Sequence, residues 1–286
     1  MSSPLRERLL VAQINNRLQP ALVMGNVSNG QYSGNISKKG DKVSIAEIGN
    51  FTLTDHDGDT DITLSVNTPK LLQMEIDSSK YFNEVIDYDT VGDQMSQYMS
   101  ALGQFGAYRI AEAVNYKIVE QYEDAGIKNS TDMGTPAAAI AAGTDISPVL
   151  RNLNRYMTEA GVPFNGRFAA VSPLVAMWIQ TKYQSLLVNS DPMVRNGVIG
   201  NLETFDIVVD PAIQAFITAN SGTFTDATGM IIAGVRGQSF AYAQALRNIE
   251  FYKPEKRFGQ AVKGQILYGA KCFRPDMTAA AFVKAS

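Results

Sequence analysis

Cysteine and histidine each occur once in these 286 residues, as Cys272 and His56, and tryptophan also occurs once. A lone cysteine excludes an intrachain disulfide and a thiolate metal cluster. A lone histidine excludes multi-histidine metal sites and would force any serine-based relay through His56. The start, MSSPLRERLL, has no apolar core of the kind a secretory signal carries. No apolar run approaches the ~20 residues of a membrane-spanning helix. The longest, such as MIIAGV at 230–235, are strand-sized. From the initiator Met1 the expectation is an intracellular product from which no leader or prodomain is removed. Nucleotide-binding and esterase signatures (GxGxxG, GxxxxGK[ST], GxSxG) are absent.

What is present is a globular composition: 45% hydrophobic, 19% charged, with a net charge of -3. That charge is segregated. Residues 1–42 hold six basic groups against two acidic (+4), and 43–90 hold two against ten (−8). Residues 91–249 hold ten against thirteen (−3), and 250–286 hold seven against three (+4). Basic ends bracketing an acidic stretch suit contact between copies as well as plain solvation. A sequence pI near 5.3 does not suggest a dedicated nucleic-acid binder.

Along the chain, residues 1–40 are rich in Asn, Gln, Ser and Gly. Leu5, Leu9, Leu10, Ile14 and Leu18 suggest one short amphipathic helix before Pro20. Residues 41–80 alternate apolar and polar (Val43, Ile45; Ile62, Leu64, Val66; Leu72, Met74, Ile76) around a turn-rich middle. This predicts a long β-hairpin with few core residues, which needs a surface to lie on. Thr90 and Asp93 make a capping-box start, and Val91 to Asp124 keeps helical spacing through Leu102, Phe105, Ile110, Val114, Ile118 and Tyr122. Such a helix would be a spine.

Further on, helices are predicted over Ile146–Ala160 and Leu174–Tyr183. Strands are predicted at Arg167–Val171, Phe205–Val209, Met230–Val235, Ser239–Tyr242, Ile249–Tyr252, Val262–Phe273 and Ala279–Val283. The fold class is α+β.

The densest chemical cluster is Asp55-His56-Asp57-Gly58-Asp59-Thr60-Asp61. Alternate carboxylates can converge on Ca²⁺, but Thr60 and Val66 stand where a calcium-hand loop needs Gly and Glu. A solvated acidic tip is the plainer reading. Cys272, following Ala270 in a period-two strand, reads as core rather than as a nucleophile. No catalytic, metal or cofactor site emerges, and no enzyme activity is expected.

The order of parts resembles the major capsid proteins of tailed double-stranded-DNA phages, the Hong Kong 97-like fold. GDKVSIAEIG with DITLSVNTPKLLQMEIDSSKYFNEVID is similar to that family's extended loop and its return into the spine. DISPVLRNLNRYMTEAGVPFNGRFAAVSP is similar to the opening of its axial domain. IGNLETFDIVVDP and LYGAKCFRPDMTAAAFV are similar to later stretches.

The resemblance implies an N-terminal arm (1–40), an extended β-hairpin loop (41–80), a peripheral domain with the spine helix (81–144), an axial domain (145–249), and return strands to the peripheral domain (250–286). It implies a shell subunit with no active site, surrounded by copies of itself as pentamers and hexamers. A separate scaffolding protein, a portal and weakly held double-stranded DNA would complete a virion assembled in the host cytoplasm. Charge segregation nominates Arg6, Arg8, Arg17, Lys38, Lys39, Lys253, Lys256 and Arg257 against Asp55, Asp57, Asp59 and Asp61 as contacts between subunits. Two other readings stand beside it: an encapsulin-type nanocompartment shell, and a calcium-dependent binding or hydrolytic protein using 55–61.

Overall fold

The computed structural model describes residues 22–36, 38–47, 70–86, 95–142, 145–187, 198–255 and 260–285. In chain order the helices are α1 (Val23–Val27), α2 (Met95–Glu120), α3 (Ser147–Glu159), α4 (Pro173–Leu187) and α5 (Pro211–Ala219). The strands are β1 (Lys42–Glu47), β2 (Lys70–Glu75), β3 (Ser78–Ile86), β4 (Ile140–Ala141), β5 (Arg167–Val171), β6 (Val198–Leu202), β7 (Phe205–Val209), β8 (Gly229–Val235), β9 (Phe240–Tyr252), β10 (Gln260–Cys272) and β11 (Ala279–Lys284). The class is α+β, as expected.

Three sheets organise the described chain. β1 and β2 form an antiparallel pair, β3-β10-β9 an antiparallel three-stranded sheet, and β4-β11-β8-β5-β7-β6 a mixed six-stranded one. The strands in the middle of the six-stranded sheet are buried on both faces, so they read as continuous apolar runs rather than as alternations. Their alternate residues serve two cores. Phe168, Ala170, Met230, Ile232, Ala280 and Phe282 face the core that holds α2. Ala169, Val171, Ile231, Ala233, Ala281 and Val283 face the core packed by α3 and α4.

α2 is the predicted spine, 26 residues that make about 39 Å. Ala107, Ile110, Ala111, Val114, Ile118 and Val119 form its buried stripe. At helical spacing these small and branched residues let the helix lie close to both large sheets at once. At its C-terminal end Tyr122 meets Phe216, Phe224 and Phe282 with ring centroids 5.6, 5.9 and 5.7 Å apart. The spine end is thereby locked to α5 and β11 by tilted and edge-on aromatic contacts.

Two local devices explain the middle of the chain. In α3, Pro148 in the first turn and Val149, Leu150, Leu153 and Met157 on one face make an amphipathic helix. Gly161, at φ +73°, then lets the chain turn back towards β5. In α5, Asp210 caps the helix by accepting from the Ala212 amide at 2.8 Å, and Pro211 occupies the first turn.

Several expectations are corrected. The strands expected at Ser239–Tyr242 and Ile249–Tyr252 are joined in one 13-residue strand, β9, which starts at Phe240 and runs on through position 249. β11 does not return beside the spine's three-stranded sheet; it lies inside the six-stranded one between β4 and β8. The last segment of the expected hairpin, from Ser78, belongs to β3, which pairs with β10. Phe105, read as spine core, is 71% exposed. Helix α5 and strand β6 were not expected. The proposed helix over Leu5–Leu18, the strand at Ile62–Val66, the capping box at Thr90–Asp93 and the acidic cluster with His56 lie outside the described residues.

Candidate assembly surfaces

The hairpin is the feature the sequence offers for contact between copies, and the structure shows how its root is held. β1 and β2 pair from Lys42 opposite Glu75 to Glu47 opposite Lys70. Alternation puts Val43, Met74 and Ile76 on one face, buried against Ile36, Ala241, Ala243 and Leu267 of the three-stranded sheet and its approach. The other face is wet, with Leu71 63% exposed. The turn into β1 is closed by Gly40 at φ +90°, whose amide donates to the Ile76 carbonyl at 2.9 Å. The Ile76 amide donates to the Asp41 carbonyl at 3.0 Å.

At Gly269 the root lies backbone-on-backbone upon β10. A Cβ added there would sit 2.4 Å from the Glu75 carbonyl oxygen and 3.1 Å from Ile76 Cα. Backbone cannot swing away as a side chain can. Gly269→Ala is therefore expected to lift the root and destabilise the subunit by about 1–3 kcal/mol. Thermal denaturation, with amide exchange read at Gly40 and Ile76, checks this. An unchanged melting temperature with both amides equally protected would contradict it.

Ion pairing ties the same root to the spine. Lys117 Nζ lies 2.8 Å from Asp77 Oδ2 and 2.7 Å from Glu120 Oε2. Burial opposes the charge on Asp77, but its bonds to Lys117 and Ser78 prevail and hold the carboxyl below the ordinary range. Burial likewise opposes the charge on Lys117, and its two carboxylate partners outweigh that and raise it. The Asp77 contribution to stability is thus present above the ordinary carboxylate pKa and fades as pH falls through the lowered one. The Lys117 contribution holds below the ordinary lysine pKa and fades as pH rises through the raised one.

Of the nominated interface residues, Lys38, Lys39 and Lys253 are described, and all three are exposed. They do not form one patch. Lys38 and Lys39 stand in the turn before β1, at the root. Lys253 follows the far end of β9, about 30 Å along that strand from Ala243 at a rise of ~3.3 Å per residue. Arg6, Arg8, Arg17, Asp55, Asp57, Asp59, Asp61, Lys256 and Arg257 lie outside the described residues.

A second surface was missed by sequence reasoning. Tyr81 on β3 is 84% exposed, and Phe105 and Tyr108 on α2 are 71% and 57% exposed. Tyr81 and Phe105 line a groove of about 350 Å³ between β3 and α2, together with Lys80, Phe82, Leu102 and Arg109. Phe82 covers Gly264 of β10, where a Cβ would meet its ring at 2.3 Å. Of these aromatics Phe105 sits in a run that reads as core, and the exposed strip as a whole has no one-dimensional signature. It appears once β3 becomes a sheet edge.

The chemistry of the described residues is quiet. Cys272 is buried, and burial pushes its thiol up to about 11, which makes it a poor nucleophile near neutral pH. Among the described residues no three His, Cys, Asp or Glu side chains converge on a common point. No described helix is long and apolar enough to cross a membrane.

No family model matches the chain, and no curated protein matches it in sequence. Solved structures do. The structure described as Mycobacterium phage Che8 is 21% identical, with a TM-score of 0.62 over 93% of this chain and 92% of that one. A chain of the cyanophage P-SCSP1u capsid is 17% identical, with a TM-score of 0.59 over 93% and 89%. A virus-like particle from Pyrococcus furiosus is 10% identical, with a TM-score of 0.54 over 98% of each chain. The chain therefore shares, over nearly its whole length, the α+β fold of these solved structures.

Proposed function

We propose that this chain is a major capsid (coat) protein that self-assembles into an icosahedral shell enclosing phage double-stranded DNA. The observation that carries the proposal is the likeness to phage structures along 93% of the chain, including a cyanophage capsid. Two features support it. The hairpin is rooted on the body by Met74, Ile76 and the Asp77–Lys117 pair, so its outer part can be presented to a neighbour from a fixed base. The groove beside the spine offers exposed aromatic surface of the kind that subunit interfaces bury.

A shell subunit needs many modest contacts repeated by symmetry rather than one strong site. The net charge of -3 suits a wall that encloses DNA without gripping each phosphate. On this reading residues 1–40 act as an arm towards a neighbour, 41–80 as the extended loop, and the six-stranded body packs around the five- and six-fold axes. A scaffolding protein and a portal complete the particle, which is assembled in the host cytoplasm and ends as a virion.

Electron microscopy tests the proposal. The purified chain, or the chain co-expressed with its scaffolding protein, is expected to form closed shells of uniform diameter. Small oligomers alone under both conditions count against it. Nuclease-protected double-stranded DNA in the native particle favours the capsid, whereas an enclosed enzyme favours the nanocompartment.

A further inference from the structure

The carboxyl of Asp210 is sealed inside the subunit at 1% exposure, beneath α1. Oδ1 accepts from the Ala212 amide at 2.8 Å, and the backbone N–H of Met24, in α1, also bonds to this carboxyl. Oδ2 is buried and has no hydrogen-bond partner among the described residues. α1 is held over this point by Leu22, Met24 and Val27, all at 2% exposure or less and part of the core that includes Ala212 and Ile213. Main-chain bonds continue the attachment. The Asn29 amide donates to the Phe240 carbonyl at 2.8 Å, and the Gly237 amide to the Val27 carbonyl at 2.9 Å.

Among the described residues no opposite charge compensates Asp210. The sequences of α1 (VMGNV) and α5 (PAIQAFITA) contain no charged residue. On β5, whose Val171 carbonyl accepts the Asp210 amide, the one charge is Arg167, and its guanidinium is engaged by Asn154, Val162 and Pro163. On β7, Asp206 pairs with Arg236. On α2, Arg109 pairs with Glu112, and Lys117 with Glu120 and Asp77.

We propose that Asp210 is a proton-controlled latch for the arm root: uptake of a proton by this buried carboxyl tightens the docking of residues 22–29, and its loss loosens them. This goes beyond the capsid reading and does not depend on it, because it concerns one subunit's own attachment of α1. Burial raises the docked carboxyl to about 6, with the Ala212 and Met24 amides opposing the rise. Once α1 lifts and water reaches the group, the ordinary value near 3.8 returns.

The docked state therefore binds the proton more tightly, so acid favours docking and alkali favours release. Between pH 7.5 and 4.5 the docking equilibrium is expected to change roughly 30-fold from these two values. Such linkage would let a shell keep its arm roots adaptable at neutral pH and fix them on acidification.

Amide exchange over residues 22–29 of the full chain, corrected for intrinsic rates between pH 4.5 and 7.5, tests the latch. The expected result is protection that rises roughly 30-fold towards acid in the wild type. The profile is expected to be flat and high in Asp210→Asn, which keeps a capping acceptor without titrating. If that variant does not fold, Asp210→Ser takes its place as a non-titrating cap. A flat wild-type profile, or the same slope in the wild type and the folded variant, overturns the proposal.

Discussion

Deleting residues 54–69 is expected to abolish closed shells while leaving a folded and slightly more stable subunit. The core clusters of the body are built by described residues on both sides of this stretch. The root keeps its ladder between β1 and β2, its contacts with Ile36, Ala243 and Leu267, and the Asp77–Lys117 pair. Residues 48–53 remain to join the two strands. Shortening the connection from 22 residues to six lowers its closure entropy cost by about 1 kcal/mol. Assembly and stability are therefore expected to move in opposite directions, which a general folding defect cannot do. Electron microscopy and thermal denaturation of the same preparation read both. Normal particles would remove the hairpin from assembly, and an unfolded subunit would show that its outer part serves its own body.

The largest loss of stability is expected at Arg167. Its residue exposure is 1%, although it opens a strand and carries a full charge. Nε donates to the Pro163 carbonyl at 3.0 Å, and Nη2 to the Val162 carbonyl at 2.5 Å. Nη1 reaches Asn154 Oδ1 at 2.5 Å and Thr158 Oγ1 at 3.2 Å, while Phe164 stacks on the guanidinium at 4.3 Å. One planar cation thus gathers the C-terminal turn of α3 and the loop beyond it onto β5, where the negative end of the helix favours it. Arg167→Met fills much of the volume but strands these acceptors in the interior. A loss of about 3–4 kcal/mol is expected, with the melting temperature lowered by roughly 6 °C or more. Arg167→Lys is expected to recover only part of this, because an ammonium cannot match the fork. A Met variant that melts within a degree of the wild type would contradict this account.

The elements legible in sequence were those in which local signals and tertiary use agree. α3 announces itself through Pro148, its apolar face and the Gly161-Val162-Pro163 stop. Phe205–Val209 reads directly as the strand it forms. α5 escaped because its surroundings are rich in Gly, Thr and Ala, yet Asp210-Pro211 is a cap followed by a first-turn proline and carried the missing signal. β3 escaped because an edge strand with one wet face, SSKYFNEVI, lacks a clean alternation. β9 was read as two strands because Gln244, Arg247 and Asn248 interrupt its apolar pattern.

The sequence nominates charged residues for contact between copies, but it does not carry their spatial arrangement. Charge segregation pointed to Lys38, Lys39 and Lys253, and the structure sets Lys253 far from the other two. Lys117 and Asp77 are 40 positions apart in the chain, and Gly269 is nearly 200 from Glu75. Neither relation has a local pattern to betray it. The exposed strip of Tyr81, Phe105 and Tyr108 was disguised by residue types that usually lie inside.

The place of β11 bears on the order of events at the ribosome. Five of its six residues are buried, and it stands between β4 and β8, although it is made after every other strand. A nascent polypeptide that stops before Ala279 leaves one edge of β8 unsatisfied and removes Phe282 from beneath Tyr122 and Phe224. The central sheet can therefore close only after residue 284 has cleared the exit tunnel. A chain cut short before that point keeps an exposed sheet edge and an open core, and is expected to be less stable than the 286-residue chain.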